Sequence, residues 1–403
     1  MEEFKMSDKE FSFETEMLKQ GAYINSLASN PETAPIYLTT AFNVEDLDDL
    51  YDRYEKKGFC YNRNRNPNRN ALIDLMTFAE GGEASIICSS GMGAISTTIL
   101  SQVKAGDHII SDMTLYGETI DIFKEILPNY GINVTFVDFT KLEEIKKAIR
   151  PETKILYTES VSNPMITVVD IDAVAKLAHE NNSILVVDNT FMTSVAIRPM
   201  KHGADLVVNS LTKFANGHSD AVCGAVTGKA DLIQKAYRYQ VLLGNAADAF
   251  TSWLVQRGMR TMSLRLEKQM ENAAKLAKAL EESPYVIKVN HPSLESHPQH
   301  ELAMRLFGDE KSCGGMLSIV LPDSMEKLNL FMKKLNLAHY AMTLGGYRTT
   351  LAHPVSSSHY DTPEEERMKM GITFGLIRIS VGIEKAEDLI EDFLEALTVY
   401  EEV

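Results

Sequence analysis

The nine residues Asp205-Leu-Val-Val-Asn-Ser-Leu-Thr-Lys213 open on an apolar run and close on two hydroxyls and an amine. Leu206, Val207 and Val208 leave no polar face, the pattern of a strand buried on both sides of a parallel sheet. Ser210, Thr212 and Lys213 then fall just beyond its carboxyl end, where ligands sit in open α/β sheets. A lysine there forms a Schiff base with a carbonyl, and the neighbouring hydroxyls hold an anion such as phosphate. Pyridoxal 5'-phosphate (PLP) carries both groups in one molecule. A lysine after a strand is also a common surface residue, so the assignment depends on what else reaches the same edge.

Several other groups do. Asp188 follows the apolar run Ile184-Leu-Val-Val187 and stands at the mouth of a buried strand, where an unpaired carboxylate is costly. It is either a helix cap or salt-bridge partner, or the counter-charge of a cation such as a protonated pyridine nitrogen. Ser89-Ser-Gly-Met-Gly-Ala94 turns an apolar strand (Ala84 to Cys88) into a helix (Ile95 to Val103). Small residues at such a turn let backbone N–H groups approach an anion. The spacing matches neither the dinucleotide GxGxxG pattern nor a P-loop. Arg378 lies between Ile377 and Ile379 on a strand, where it is costly unless it holds a carboxylate. An amino-acid substrate supplies one. Tyr61-Asn-Arg-Asn-Arg-Asn-Pro-Asn68 reads as a solvated loop or as an arginine clamp for phosphate.

The elements that must position these groups alternate. Helix Ala71 to Phe78, the Gly81-Gly82 break and strand Ala84 to Cys88 begin the series. Strands follow at His108 to Ser111, Asn133 to Val137, Lys154 to Thr158, Ile184 to Val187 and Leu206 to Val208, with helices such as Leu142 to Ile149 and Ile171 to Glu180 between them. Alternation of this kind means a parallel sheet with right-handed crossovers. Polar residues collect past the strand ends: Ser89 and Ser90, Tyr116, Glu159 and Asn163, Asp188 and Asn189, Ser210 to Lys213. On one edge of one sheet these make a single site. Asp248 to Glu281 reads as one long helical stretch, then strands Met316 to Leu321 and Leu376 to Val381 and an amphipathic helix Glu387 to Tyr400.

Three units are expected: residues 1–65 as an arm, 66–262 as a large ligand-binding domain and 263–403 as a smaller carboxy-terminal domain. The apolar share of 44% builds an ordinary core, and a net charge of −16 disfavours nucleic acid and anionic membranes as partners. No run approaches a membrane span, and Met1-Glu-Glu-Phe-Lys5 is charged, so neither membrane insertion nor a secretion leader is expected. Cys60, Cys88, Cys223 and Cys313 lie far apart, as reduced thiols of a cytoplasmic protein do, and no metal is expected. His291, His297 and His300 cluster beside prolines, which is weak grounds for a metal site.

From about Tyr37 to the carboxyl end, the chain resembles the Cys/Met-metabolism family of PLP-dependent enzymes, the cystathionine γ-synthase, cystathionine lyase and methionine γ-lyase group. The resemblance rests on Ser89-Ser-Gly-Met-Gly-Ala94, Asp188-Asn-Thr-Phe191, Ser210-Leu-Thr-Lys-Phe-Ala-Asn-Gly-His-Ser-Asp220, Arg257-Gly-Met-Arg-Thr-Met262 and Gly375-Leu-Ile-Arg-Ile-Ser-Val-Gly-Ile-Glu384. It implies an α/β protein of PLP fold type I, aspartate-aminotransferase-like, with a mainly parallel sheet in the large domain and a smaller α+β domain. By that resemblance Lys213 is the Schiff-base lysine and proton carrier, and Tyr116 stacks on the cofactor ring. Asp188 would pair with the ring nitrogen and Asn163 would face the ring hydroxyl. Gly91, Met92, Ser210 and Thr212 would hold the phosphate, and Arg378 the substrate α-carboxylate. Tyr61 and Arg63 would complete the phosphate site from a neighbouring subunit, which makes a homodimer the catalytic unit, commonly paired into a tetramer.

The departures bear on the reaction. Asn62 and Asn68 replace hydroxyl residues of the family's arm motif, and Glu118 follows Tyr116-Gly117 where a small residue or cysteine is common. In Thr343-Leu-Gly-Gly-Tyr-Arg-Thr349, which contributes Thr343 to the expected substrate site, Arg348 replaces a glutamate that faces the distal end of the substrate in cystathionine-handling members. Arg348 either receives a distal carboxylate or points outward. The family's broad activity is β- or γ-elimination of a sulfur amino acid to a 2-oxo acid, ammonia and a thiol. Amino-acid racemisation and γ-replacement on an O-acylhomoserine are the alternatives, both suited to Arg348 holding an acid.

Overall fold

The structure, a computed structural model, describes residues 11–20 and 31–401. The charged amino terminus and parts of the expected arm (residues 1–10 and 21–30) lie outside the described residues. Seven strands form the large sheet: β1 (Ala84–Cys88), β2 (His108–Asp112), β3 (Asn133–Val137), β4 (Thr153–Glu159), β5 (Ile184–Asp188), β6 (Leu206–Ser210) and β7 (Gly224–Gly228). Their spatial order is β1-β7-β6-β5-β4-β2-β3. The run from β6 to β3 is parallel, and β7 runs antiparallel between β1 and β6. The carboxyl ends of β1, β2, β4, β5 and β6 therefore share one edge.

The strands are apolar throughout because both faces are covered. Val187 and Val207 point into one core with Leu72, Leu75 and Met259. Val186, Leu206 and Val208 point into the other with Ile86, Ile95 and Tyr157. This is the period-two alternation of a strand, hidden in the sequence because helices lie on both sides. A second sheet, β8 (Lys288–Asn290), β9 (Met316–Val320), β10 (His339–Tyr340), β11 (Thr350–Ala352) and β12 (Leu376–Ser380), has the order β10-β11-β12-β9-β8. It packs on helices Met325–Lys334 and Ala386–Leu397 through Phe331, Phe393, Ile377 and Ile379.

One helix joins the two cores. In Met262–Glu281, Met262, Leu266 and Met270 enter the core of the large sheet, and Ala273, Leu276, Ala277 and Leu280 enter that of the small one. The arrangement fixes the small sheet, and with it Arg378, over the carboxyl edge of the large sheet.

Several boundaries differ from the sequence reading. The stretch Asp248 to Glu281 is two helices, Ala249–Met259 and Met262–Glu281, separated at Arg260-Thr261. The helix expected from Ile95 starts at Gly91, because Ser90 accepts the Gly93 N–H at 2.9 Å and caps it despite two early glycines. Strand β7 was not anticipated, since Gly224-Ala-Val-Thr-Gly228 lacks an apolar run. Glycine is required there: a Cβ on Gly224 would stand 2.2 Å from the Ser90 carbonyl oxygen. Among the described residues no helix is long and apolar enough to cross a membrane.

The clustered histidines are spent on structure. His291 bonds Ser293 and the Gly314 carbonyl, His297 the Ile166 carbonyl and His300 the Pro292 carbonyl. No group of three or more His, Cys, Asp or Glu among the described residues is placed to hold a metal.

Candidate active site

The shared strand edge opens into a cavity of about 280 Å³ between the two sheets. Its walls include Gly91, Met92, Tyr116, Glu118, Asn163, Asp188, Ser210, Thr212, Lys213, Thr343 and Arg378.

The end nearest β1 is built for an anion. Gly91 and Met92 begin the Gly91–Gln102 helix, so their N–H groups have no partner within it. The Ser210 hydroxyl lies against Gly91, whose Cβ, were there one, would meet it at 2.8 Å. The Thr212 hydroxyl is engaged with β7, accepting the Cys223 N–H at 3.0 Å and donating to its carbonyl at 3.2 Å.

Asp188 closes the middle. One carboxylate oxygen accepts from the Thr190 N–H at 2.9 Å and the Thr190 hydroxyl at 2.5 Å. The same hydroxyl accepts the Ser210 N–H at 2.8 Å and so ties the ends of β5 and β6 together. Glu159, beside Asp188 on β4, accepts the Tyr116 N–H at 2.8 Å and the Asn163 N–H at 3.0 Å, fixing both loops. Burial pushes Asp188 up to about 6, and Glu159 well above the usual carboxylate range, with the Asp188 charge adding to the Glu159 shift. Neither has an ion-pair partner among the described residues.

Two cations line the same cavity. Burial holds the Lys213 amine below its ordinary value, and the nearby Arg378 charge lowers it further, against a smaller opposing pull from Glu118. Arg378 is buried on β12, donating to Asn163 Oδ1 at 3.1 Å and to the Thr343 carbonyl at 3.3 Å. Burial lowers it to about 10, and no carboxylate pairs with it among the described residues. A buried guanidinium without an anion is unfavourable by itself and is a ready site for one. Ser357 and Ser358 cover the cavity, with the Ser358 carbonyl so close to Gly117 that a Cβ there would stand 2.3 Å away.

Tyr61, Arg63 and Arg348 stand apart from the other expected site residues and do not line this cavity. Tyr61 and Arg63 are exposed, with the guanidinium 5.5 Å from the Tyr61 ring centroid. Arg348 is exposed over the Tyr347 ring, 5.4 Å from its centroid. Three contributors escaped the sequence reading. Thr190 carried a usable signal, since a threonine two residues after an aspartate favours a side-chain-to-backbone turn. Ser357 and Ser358 carried none. The role of Glu159 as a loop clamp depends on tertiary contacts.

The ligand this donor set suits has an anionic end, a carbonyl reactive to amines and a cationic centre. Gly91, Met92 and Ser210 face the first, Lys213 the second and Asp188 the third. Pyridoxal phosphate has all three, and the uncompensated Asp188 and Glu159 carboxylates are the feature that a pyridinium nitrogen would relieve.

This makes the ligand-free protein sensitive to pH. Burial raises the Asp188 pKa above its ordinary 3.8 to about 6, so ionising it destabilises the empty fold. The penalty is absent below the unfolded-state value and complete once pH passes the folded one. Asp188→Asn is therefore expected to stabilise the ligand-free protein at pH 8 by about 1–3 kcal/mol, with little change at pH 4. The same variant is expected to lose pyridoxal phosphate more readily. Melting curves of ligand-free wild type and variant at the two pH values check the first expectation; equal stability at pH 8 would contradict it.

Comparison with known proteins places this geometry. Residues 14–398 match the family model described as Cys/Met metabolism PLP-dependent enzyme. The chain is 38% identical over 368 residues to an L-methionine gamma-lyase of Fusobacterium nucleatum subsp. polymorphum, covering 90% of this chain and 92% of that protein. It is 40% identical over 341 residues to a cystathionine gamma-lyase of Bacillus subtilis, covering 84% and 89%. A solved cystathionine gamma synthase from Xanthomonas oryzae pv. oryzae, in complex with aminoacrylate and cysteine, superposes with a TM-score of 0.92 at 32% identity, covering 98% of this chain and 99% of that one. The fold is accordingly PLP fold type I, and the chain belongs to the Cys/Met-metabolism family of PLP-dependent enzymes.

Proposed function

We propose that the enzyme is a carbon–sulfur lyase that converts a sulfur amino acid of the methionine, homocysteine or cystathionine type, with water, into a 2-oxo acid, ammonia and a thiol. The observation that carries the reading is Arg378, a buried cation without an anion among the described residues, lining the same cavity as Lys213. The lyase names of the relatives support it.

Bound pyridoxal phosphate supplies a carbonyl for the substrate amine and a sink for electrons left at Cα. The chain supplies position and proton transfer. Gly91, Met92 and Ser210 would hold the phosphate, joined by Thr212 if its hydroxyl turned from the Cys223 carbonyl; Asp188 would keep the ring nitrogen protonated, and Asn163 would serve the hydroxyl side. Arg378, held by Asn163 and Thr343, fixes the substrate α-carboxylate and so turns the Cα–H bond toward Lys213 Nζ. The lowered pKa of Lys213 favours the neutral amine that accepts this proton. Tyr116, which lines the cavity, would stack on the ring. Burial and the facing Glu118 carboxylate keep its phenol protonated, the form that donates to a departing thiolate.

Tyr61 and Arg63 act from a neighbouring subunit, with the dimer as the catalytic unit and a tetramer as the full assembly. Their exposure, away from the cavity of their own chain, supports this. Domain limits near residues 65 and 262 follow the arm and the helix that joins the cores. Four free cysteines, three of them buried, suit the reducing cytoplasm. A γ-replacement reading draws support from the likeness to the cystathionine gamma synthase structure. The racemase reading has no such support, because Arg348 does not line the cavity.

The direct test incubates the enzyme in D2O with L-methionine, L-homocysteine, L-cystathionine, L-alanine and L-glutamate, following deuterium at Cα, chirality, thiol and 2-oxo acid. The expected result is thiol and 2-oxo acid in equal amounts from a sulfur substrate. Turnover only with an added thiol would make it a transferase, and loss of chirality without 2-oxo acid a racemase. For the assembly, Arg63→Ala and Lys213→Ala subunits are each expected to be nearly inactive. When mixed and re-associated they should regain roughly a quarter of wild-type activity, since half of random dimers carry one intact site of two. No recovery in demonstrably mixed dimers would contradict a shared site.

A further inference from the structure

Three carboxylates line the cavity, and two are already committed. Asp188 is held by Thr190 and faces the ring-nitrogen position, and Glu159 is spent on the Tyr116 and Asn163 N–H groups. Glu118, the third, has the Tyr116 phenol as a hydrogen-bond partner and makes no ion pair with a described residue. Arg378 and Glu118 form a pair of opposite charges separated within one cavity. Both act on Tyr116 and on Lys213, so the reactive groups lie within range of each. Met342, Leu344 and Val222 line the same cavity and are available to the side chain of an amino acid whose α-carboxylate sits on Arg378. These apolar contacts suit a thioether. The charged group remaining for the far end is the Glu118 carboxylate, which has no counter-charge among the described residues.

We propose that Glu118 is a specificity-determining residue: its carboxylate receives the distal end of the substrate and selects amino acids ending in a cation over those ending in an acid. This rests on the reading of the cavity as an amino-acid site. It also reverses the preference expected from Arg348, whose guanidinium lies on the exposed Tyr347 ring outside the cavity. The substrate class is then a thioether amino acid carrying an ammonium on its distal arm. An acidic residue in the first turn of the Gly117–Asp121 helix also answers the helix dipole, but that role would affect stability and not the ranking of ligands.

The test titrates the visible absorbance of the holoenzyme with three amino acids of matched length: L-lysine, L-norleucine and L-2-aminoadipate. Attraction and repulsion at an exposed carboxylate together predict roughly 10-fold tighter binding of L-lysine than of L-2-aminoadipate, with L-norleucine between. Glu118→Gln is expected to compress that ratio to within about 3-fold, Glu118→Asp to keep the order, and Arg348→Gln to keep the wild-type ratio. A flat or inverted ranking in the wild type would overturn the proposal, as would compression by Arg348→Gln and not by Glu118→Gln. The Asp variant separates loss of charge from loss of fold. Failure of the lyase reading shows separately, as absence of thiol and 2-oxo acid from an enzyme that still ranks the three ligands.

Discussion

Charge held out of water without a counter-charge is the constraint on which this structure turns. Asp188 and Glu159 lie at adjacent strand ends, both buried, both pushed toward protonation and neither paired with a cation among the described residues. In the same cavity Arg378 is buried, with an amide oxygen and a carbonyl oxygen as its hydrogen-bond partners among the described residues. A fold tolerates such groups when something else completes them, because an isolated buried ion costs several kcal/mol. The arrangement therefore describes its ligands by what it lacks: a cationic ring beside Asp188 and a carboxylate on Arg378. A cofactor with a pyridinium and a substrate with an α-carboxylate meet both demands.

The architecture holds these charges in place with few parts. Parallel strands bring five carboxyl ends to one edge. The Thr190 hydroxyl links Asp188 to the backbone of Ser210, so the proposed ring and phosphate subsites would share one hydrogen-bonded unit. Glu159 fixes the loops that carry Tyr116 and Asn163, and Asn163 in turn orients Arg378. Beneath the edge a further buried carboxylate, Glu80, accepts from Asn189 and Asn209, the residues next to Asp188 and Ser210. The Met262–Glu281 helix couples all this to the small sheet, because one apolar stripe serves two cores.

Much of this was legible in the sequence, and the limits have physical causes. The apolar runs ending in Asp188 and Lys213 gave both strand and site, since a run buried on two faces has a clear beginning and end. Strand β7 was hidden because glycines needed for close backbone approach remove the apolar signal. Strands β8, β10 and β11 are three residues or fewer and carry no periodicity. The facing of a side chain was the hardest feature to read: Glu118 and Arg348 are both charged loop-flanking departures, and only the tertiary structure places one in the cavity and the other outside it.

The central claim is that Lys213 carries the cofactor opposite Asp188. Reducing the holoenzyme with borohydride, digesting it and mapping the pyridoxyl group by mass tests it most directly. The account predicts a single labelled peptide with the group on Lys213. A label on another lysine, or an unlabelled Lys213 peptide from protein that had shown the yellow absorbance of bound cofactor, would contradict it.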